Sequence, residues 1–311
     1  MVTWSTILYL LTGLALVSCH GNMFSPPAWW DRGSTNTKIG CGVLNLPDNE
    51  FSDVHNGKDP DCMSFWYSNN VKIPGEASIP DDMDQSEITC IHQAGSHDDK
   101  KEFPWNAPGS APVFGPCGTL GGWPHGCDGD GKGDFGDCCS GNCDGFALGK
   151  NAEEYHWPGE IPITPWFAGS YQEVQWYVGA NHAGGYSYRL CKLPEGGIKE
   201  LTEECFQEIP LDFVGDDQWV VYGKDLHTLK RTEIQAKRTS EGTFPHGSMW
   251  TANPLLPHME EGGSSDYGHG QVIDNVKVPA GLEPGEYVLS FRWDSKCSPQ
   301  VWGSCSNVLI I

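Results

Sequence analysis

The chain has 311 residues and a formal net charge of −22, with 13 Cys, 13 Trp, 39 Gly and 22 Pro. So acidic a surface excludes nucleic acid and anionic membranes as natural partners and is compatible with a neutral one. The length allows one large β domain or two small ones.

Residues Ile7 to Val17 (ILYLLTGLALV) are almost all apolar. That run is shorter than the roughly 20 residues a membrane span needs. It ends in small residues, with Val17 and Cys19 third and first before a cut ahead of His20, and so reads as a secretory signal peptide over residues 1–19, although its start carries no Lys or Arg. The expected protein is secreted and extracellular, begins at His20 and has about 292 residues. Removing Cys19 leaves twelve Cys between Cys41 and Cys305, an even number that implies a disulfide framework in an oxidising compartment.

Residues 20 to about 165 are rich in Gly, Pro, Asp, Asn and Cys and show little periodicity, which predicts long disulfide-clipped loops. The stretch 126–145 (GCDGDGKGDFGDCCSGNCDG) is the extreme case. Zinc binding by Cys127, Cys138, Cys139 and Cys143 is disfavoured because two CxxC pairs are missing. An EF-hand built on Asp128, Asp130 and Asp134 fails, because Lys132 and Cys139 occupy ligand positions. A solvated acidic loop is the reading retained, with a calcium site of another geometry left open.

From about residue 170 the pattern changes to period two. Val174, Trp176 and Val178 alternate with polar neighbours. Further strands are predicted over Tyr186–Leu190, Gln218–Tyr222 and Gln271–Val278. Tyr287, Leu289, Phe291 and Trp293 share one face of another strand, and Ser306–Ile311 forms the last. Short strands, Gly/Pro turns and no convincing amphipathic helix predict an all-β, immunoglobulin/fibronectin-III-like β-sandwich. One domain over 20–311, with no appended binding module, is expected. Most of the tryptophans should fill its core.

A histidine at the new N-terminus has chemical consequences. Its α-amine and ring Nδ1 can chelate one metal together, and the amine's pKa of about 7.7 lets a metal displace its proton near neutrality. Two or three nitrogen ligands suit copper. One more imidazole must then come from elsewhere in the fold. His55, His92, His97, His125, His246, His258 and His269 stand in polar loops, where a histidine is usually a solvated surface residue. His182, in ANHAGG, lies between two predicted strands, at an end of the sandwich where such domains carry function.

The opening HGNMFSPP, the segments ANHAGGYSYRLC and ECFQEIPL, and the ending YVLSFRWD…PQVWGSCSNVLII resemble the animal-type lytic polysaccharide monooxygenases, auxiliary activity family fifteen, within the wider chitin-binding type-4 pattern. The likeness runs from His20 to Ile311. It implies a histidine brace in which His20 supplies its amine and Nδ1 and His182 the third nitrogen, holding one copper ion. Trp302 falls where the family usually has Tyr or Phe beside the axial face. An indole N–H donates only, so Trp302 would be a steric wall. Gln300 resembles the glutamine that holds a bound oxygen species in related enzymes, and Ala180 would leave room for oxygen.

The implied reaction is oxidative cleavage of an insoluble β-1,4-linked polysaccharide, chitin favoured and cellulose the alternative, at carbon 1 or carbon 4. It requires an external electron donor and dioxygen or hydrogen peroxide as co-substrate, and a monomer is expected. Trp29 and Trp30, in PPAWWD, are candidates either for a sugar-stacking face or for packing beneath the brace. A hydrolase needs two carboxylates flanking the sugar bond, and no pair among the 41 acidic residues stands out. No GxSxG nucleophile motif is present. The rival reading is a secreted chitin-binding or copper-binding protein without turnover.

Overall fold

A computed structural model describes residues 21–29, 66–68, 83, 103–113, 115–119, 151–154, 157, 161–178, 181–223, 231–256, 269–296 and 300–311, and the architecture below is that of these residues. The strands in chain order are β1 (Gly21–Ser25), β2 (Trp66–Ser68), β3 (Ile163–Trp166), β4 (Tyr171–Val178) and β5 (Gly185–Lys192). After a short helix, α1 (Glu203–Glu208), come β6 (Asp212–Phe213), β7 (Asp217–Gly223), β8 (Thr232–Gln235), β9 (Arg238–Thr239) and β10 (Trp250–Ala252). The long strands β11 (His269–Lys277), β12 (Gly285–Asp294) and β13 (Gln300–Ile310) complete the set.

Two sheets result. The first runs β1-β4-β11-β7-β8, with β6 also pairing β11. The second runs β2-β13-β12-β5-β10-β9, with β3 parallel on β13. Alternating side chains from both sheets meet in one core: Val174, Trp176 and Val178 of β4, Val272 and Val276 of β11, Tyr186, Tyr188 and Leu190 of β5, and Tyr287, Leu289, Phe291 and Trp293 of β12. The fold is thus the all-β, immunoglobulin-like sandwich that the period-two pattern predicts.

Several details differ from the sequence reading. The region predicted as loop before residue 165 contains β1 and β2, and β3 opens within its end. The last strand begins at Gln300, six residues earlier than predicted, because Gln300 to Cys305 continue the antiparallel ladder with β12 and β2. His269 opens β11 instead of lying in a loop. Helix α1 forms where no helix was predicted. Thr202 caps it by accepting from the Cys205 N–H, Phe206 is its buried side chain, and the Cys191–Cys205 disulfide ties it to β5.

β12 also departs from a simple alternation, because it is buried on both faces. The outer face of the second sheet is roofed by α1 and by segments from before residue 160. There Trp29, Cys117, Trp157, Cys191, Phe206, Val288 and Cys305 form a second apolar cluster. The Cys117–Cys305 disulfide joins that roof to β13. Trp29 is fully buried, donates its indole N–H to Asn307 Oδ1 at 2.8 Å and packs on Trp157. That placement corrects its candidacy for a sugar-stacking face: Trp29 is roof packing. Trp30 lies outside the described residues, as do the 126–145 loop and its cysteines.

One carboxylate sits inside the core. Asp274 of β11 accepts from the Tyr186 hydroxyl at 2.6 Å and lies 3.3 Å from the Arg238 guanidinium, which also covers the Phe213 ring. Burial pushes the Asp274 carboxyl up to about 6, against the opposing pull of the Tyr186 hydrogen bond and the Arg238 charge. An unfolded Asp ionises near pH 4, so the folded chain binds the extra proton. The stabilisation from this group is therefore complete below pH 4 and is lost as pH rises through about 6. In denaturant titrations at several pH values, the unfolding free energy of wild type relative to Asp274→Asn should fall by about 2 kcal/mol between pH 4 and pH 7.

Candidate metal centre

Five chain segments converge at one end of the sandwich. β1 starts there, antiparallel to the end of β4, with Gly21 opposite Val178. β5 begins at the same end, opposite the end of β12 (Gly185↔Asp294), and β13 begins beside it. His182 lies in the short connection from β4 to β5.

That connection is tightly held. Asn181 Oδ1 accepts the Ala183 N–H at 3.0 Å, an Asx-type turn across His182. Ala183 takes a left-handed φ of 53°, sparsely populated for a residue with a Cβ. Its carbonyl accepts the Trp293 indole N–H at 2.8 Å, and the His182 carbonyl accepts the Lys296 N–H at 3.2 Å. Gly184 follows with φ +85°, and a Cβ there would stand 2.0 Å from the Asp294 carbonyl oxygen. Only glycine allows the loop to lie this close to the end of β12.

The His182 ring is 5% exposed and packs against two indoles. Its centroid lies 6.0 Å from Trp293 and 6.3 Å from Trp302, the latter nearly parallel at 27°. Trp293 and Trp302 stack on each other at 5.6 Å as cross-strand partners of β12 and β13. Trp302 is therefore a buried flat wall beside the imidazole. Gln300, two residues before it, shares its side of the strand and is 2% exposed. The Gln300 carbonyl accepts the Ser295 N–H at 3.1 Å, next to the Lys296 that binds the His182 carbonyl.

The start of β1 reaches the same aromatic pair. A Cβ on Gly21 would fall 2.7 Å from Trp293 Cζ3, so the bare backbone of Gly21 presses on the indole that His182 packs against. Gly21 and His182 thus both meet the Trp293 indole. His20 and Ala180 lie outside the described residues. Among the described residues no group of three or more His, Cys, Asp or Glu side chains converges. His246 is in a loop of the described chain, and His55, His92, His97, His125 and His258 fall outside it.

A buried imidazole on a clamped loop is a donor that suits copper, as it does zinc, iron and nickel. A curated relative, AA13 family lytic polysaccharide monooxygenase A of Pyricularia oryzae, is 24% identical over 169 residues, covering 49% of this chain and 43% of the relative. The chain resembles the lytic polysaccharide monooxygenases. The match spans less than half the length of that relative. Among solved structures, the AA15 lytic polysaccharide monooxygenase from Thermobia domestica in the Cu(I) state is 16% identical, covering 51% of this chain and 73% of that one, with a TM-score of 0.30. A chitin binding domain from Burkholderia pseudomallei is 12% identical over 94% of this chain and all of its own, with a TM-score of 0.38. No protein-family model matches. The fold assignment rests on the strand pairing itself, and the sequence likeness is to the AA13 monooxygenase over about half of the chain.

Sequence reasoning missed Trp293 as a site residue, reading it only as one of four core-facing side chains. It gave no role to Asn253, which borders the His182 loop. Gly184→Ala should destabilise the fold by at least about 2 kcal/mol in chemical denaturation, because it adds both a steric clash and a disfavoured φ.

Proposed function

We propose that the chain, cut ahead of His20, is a secreted, copper-dependent polysaccharide monooxygenase forming a single domain over residues 20–311. Its substrate is an insoluble β-1,4-linked polysaccharide, chitin before cellulose, oxidised at carbon 1 or carbon 4. The observation that carries this reading is the contact of Gly21 with Trp293, the ring against which His182 packs. It brings the residue that follows His20 to the indole that also packs against His182, a histidine in the connection between β4 and β5. The likeness to the AA13 monooxygenase supports the same class of chemistry.

In this reading His20 contributes its amine and Nδ1 and His182 its imidazole. Copper, when bound, supplies one-electron redox chemistry with an external electron donor and either dioxygen or hydrogen peroxide. The remaining roles belong to the chain. Trp302, with no acceptor atom, walls one side of His182 and offers the metal no oxygen ligand. Gln300, with a donor and an acceptor on one amide, holds the oxygen co-substrate. Asn181, Ala183 and Lys296 fix the loop so that His182 does not swing with substrate contact. A site at the end of a sandwich suits a crystalline surface, which cannot enter a cleft.

The test is chain beginning at His20, loaded with copper and incubated with chitin or cellulose and a reductant. Oxidised oligosaccharides should appear, stop on chelation and resume when copper is restored. A protein that retains the solid and releases nothing is a binder, and the oxidative reading then fails. His182→Ala should weaken copper binding by more than about 100-fold, beyond the loss expected when only a supporting hydrogen bond is removed.

A further inference from the structure

We infer that Asn253 is the positioning residue for His182, an inference that rests on His182 being a metal ligand as proposed above. β10 pairs with β5 at Ala252↔Gly185, which delivers the next residue, Asn253, to the side of the His182 loop. Asn253 is 3% exposed. Its backbone N–H donates to the Gly184 carbonyl at 2.8 Å. Its side-chain amide donates to Asn181 Oδ1 at 3.1 Å and to the Ala183 carbonyl at 3.1 Å. One planar amide therefore holds the residues on both sides of His182, seventy positions away in sequence.

The arrangement is reciprocal. Asn181 returns a bond, donating its own amide to the Pro254 carbonyl at 2.9 Å, while its Oδ1 also holds the Ala183 N–H. The Ala183 carbonyl takes two donors, Asn253 Nδ2 and Trp293 Nε1, and these hold Ala183 in its left-handed conformation. His182 is suspended between two clamped neighbours, which hold the backbone from which its ring projects onto Trp293 and Trp302.

The chemistry at position 253 is specific. Both Nδ2 bonds run from donor hydrogens to oxygens. An aspartate would direct a carboxylate at two acceptors, a serine reaches less far with a single donor, and a glutamine adds a methylene to a closed space. Groups that orient a ligating histidine typically change metal affinity 10–100-fold when removed. Asn253 acts through the loop backbone, so its effect should appear in the geometry of the bound metal as well as in affinity.

The experiment uses chain beginning at His20 in four forms: wild type, His182→Ala, Asn253→Ala and Asn253→Ser. Copper affinity is measured by calorimetric titration, the Cu(II) electron paramagnetic resonance spectrum is recorded, and the melting temperature is followed with and without copper. The inference predicts 10–100-fold weaker binding in Asn253→Ala, with altered hyperfine coupling and a smaller copper-induced rise in melting temperature. Asn253→Ser should show the same changes to a lesser degree, and it carries the test if the alanine variant does not fold. A folded variant with a lower metal-free melting temperature but wild-type affinity and spectrum overturns the inference, since the residue is then only structural. If His182→Ala itself keeps wild-type copper binding, the underlying reading and this inference fall together. If His182→Ala loses copper while both Asn253 variants keep the wild-type spectrum, this inference alone falls.

Discussion

The contact on which the site depends is the packing of the Trp293 indole. Its ring makes apolar contacts: Trp293 packs on Trp176 at 5.5 Å and stacks with Trp302, extending the core's aromatic cluster to the end of the sandwich. Its polar edge is also used: the indole N–H holds the Ala183 carbonyl beside His182. Its ring edge also receives Gly21. Aromatic pairs of this kind contribute about 0.5–1.5 kcal/mol each beyond the area they bury. A single side chain thus couples the hydrophobic core, the His182 loop and the first strand, and displacing it would disturb all three together.

The strand that carries Trp293 is stiffened from its outer side as well. Arg292 of β12 is 2% exposed and bonds Asp294 at 2.7 Å, Glu203 of α1 at 3.0 Å and the Ala111 carbonyl at 3.1 Å. Arg189 of β5 shares Glu203 and donates to Ser290 at 3.0 Å. Removing one member of such a buried network typically costs about 3–5 kcal/mol, because a charge is left without its counterpart. Trp293 lies between the two ion-paired residues Arg292 and Asp294. The roof formed by α1 and residues 103–113 and 115–119 therefore does more than bury apolar surface: it fixes the end of β12 from which the His182 loop is hung.

Much of this was legible in sequence because it follows local periodicity. The alternation in EVQWYV and in Tyr287 to Trp293 specifies which side chains enter the core, and His182 stands out through its place between two such runs. The outer burial of β12 was not legible, since it depends on Trp29, Cys117 and Phe206, which are remote in the chain and carry no periodic signal. β1 is too short and too close to Pro26 and Pro27 to read as a strand; its pairing with β4 is a tertiary effect. Trp29 and Trp302 illustrate the limit of residue type as a guide. One is roof and the other is the wall beside His182, and only the fold separates them. Asn253 was invisible for the same reason, as its partners lie about seventy residues away.

The central claim is that a freed amine at His20 joins His182 on one copper ion. Its most direct test compares the copper affinity and Cu(II) resonance spectrum of chain beginning at His20 with those of chain carrying one additional residue ahead of it, which converts the His20 amine to an amide. The account predicts a single tight site with nitrogen couplings in the first protein and loss of that site in the second. Equal affinity and identical spectra in the two would contradict it.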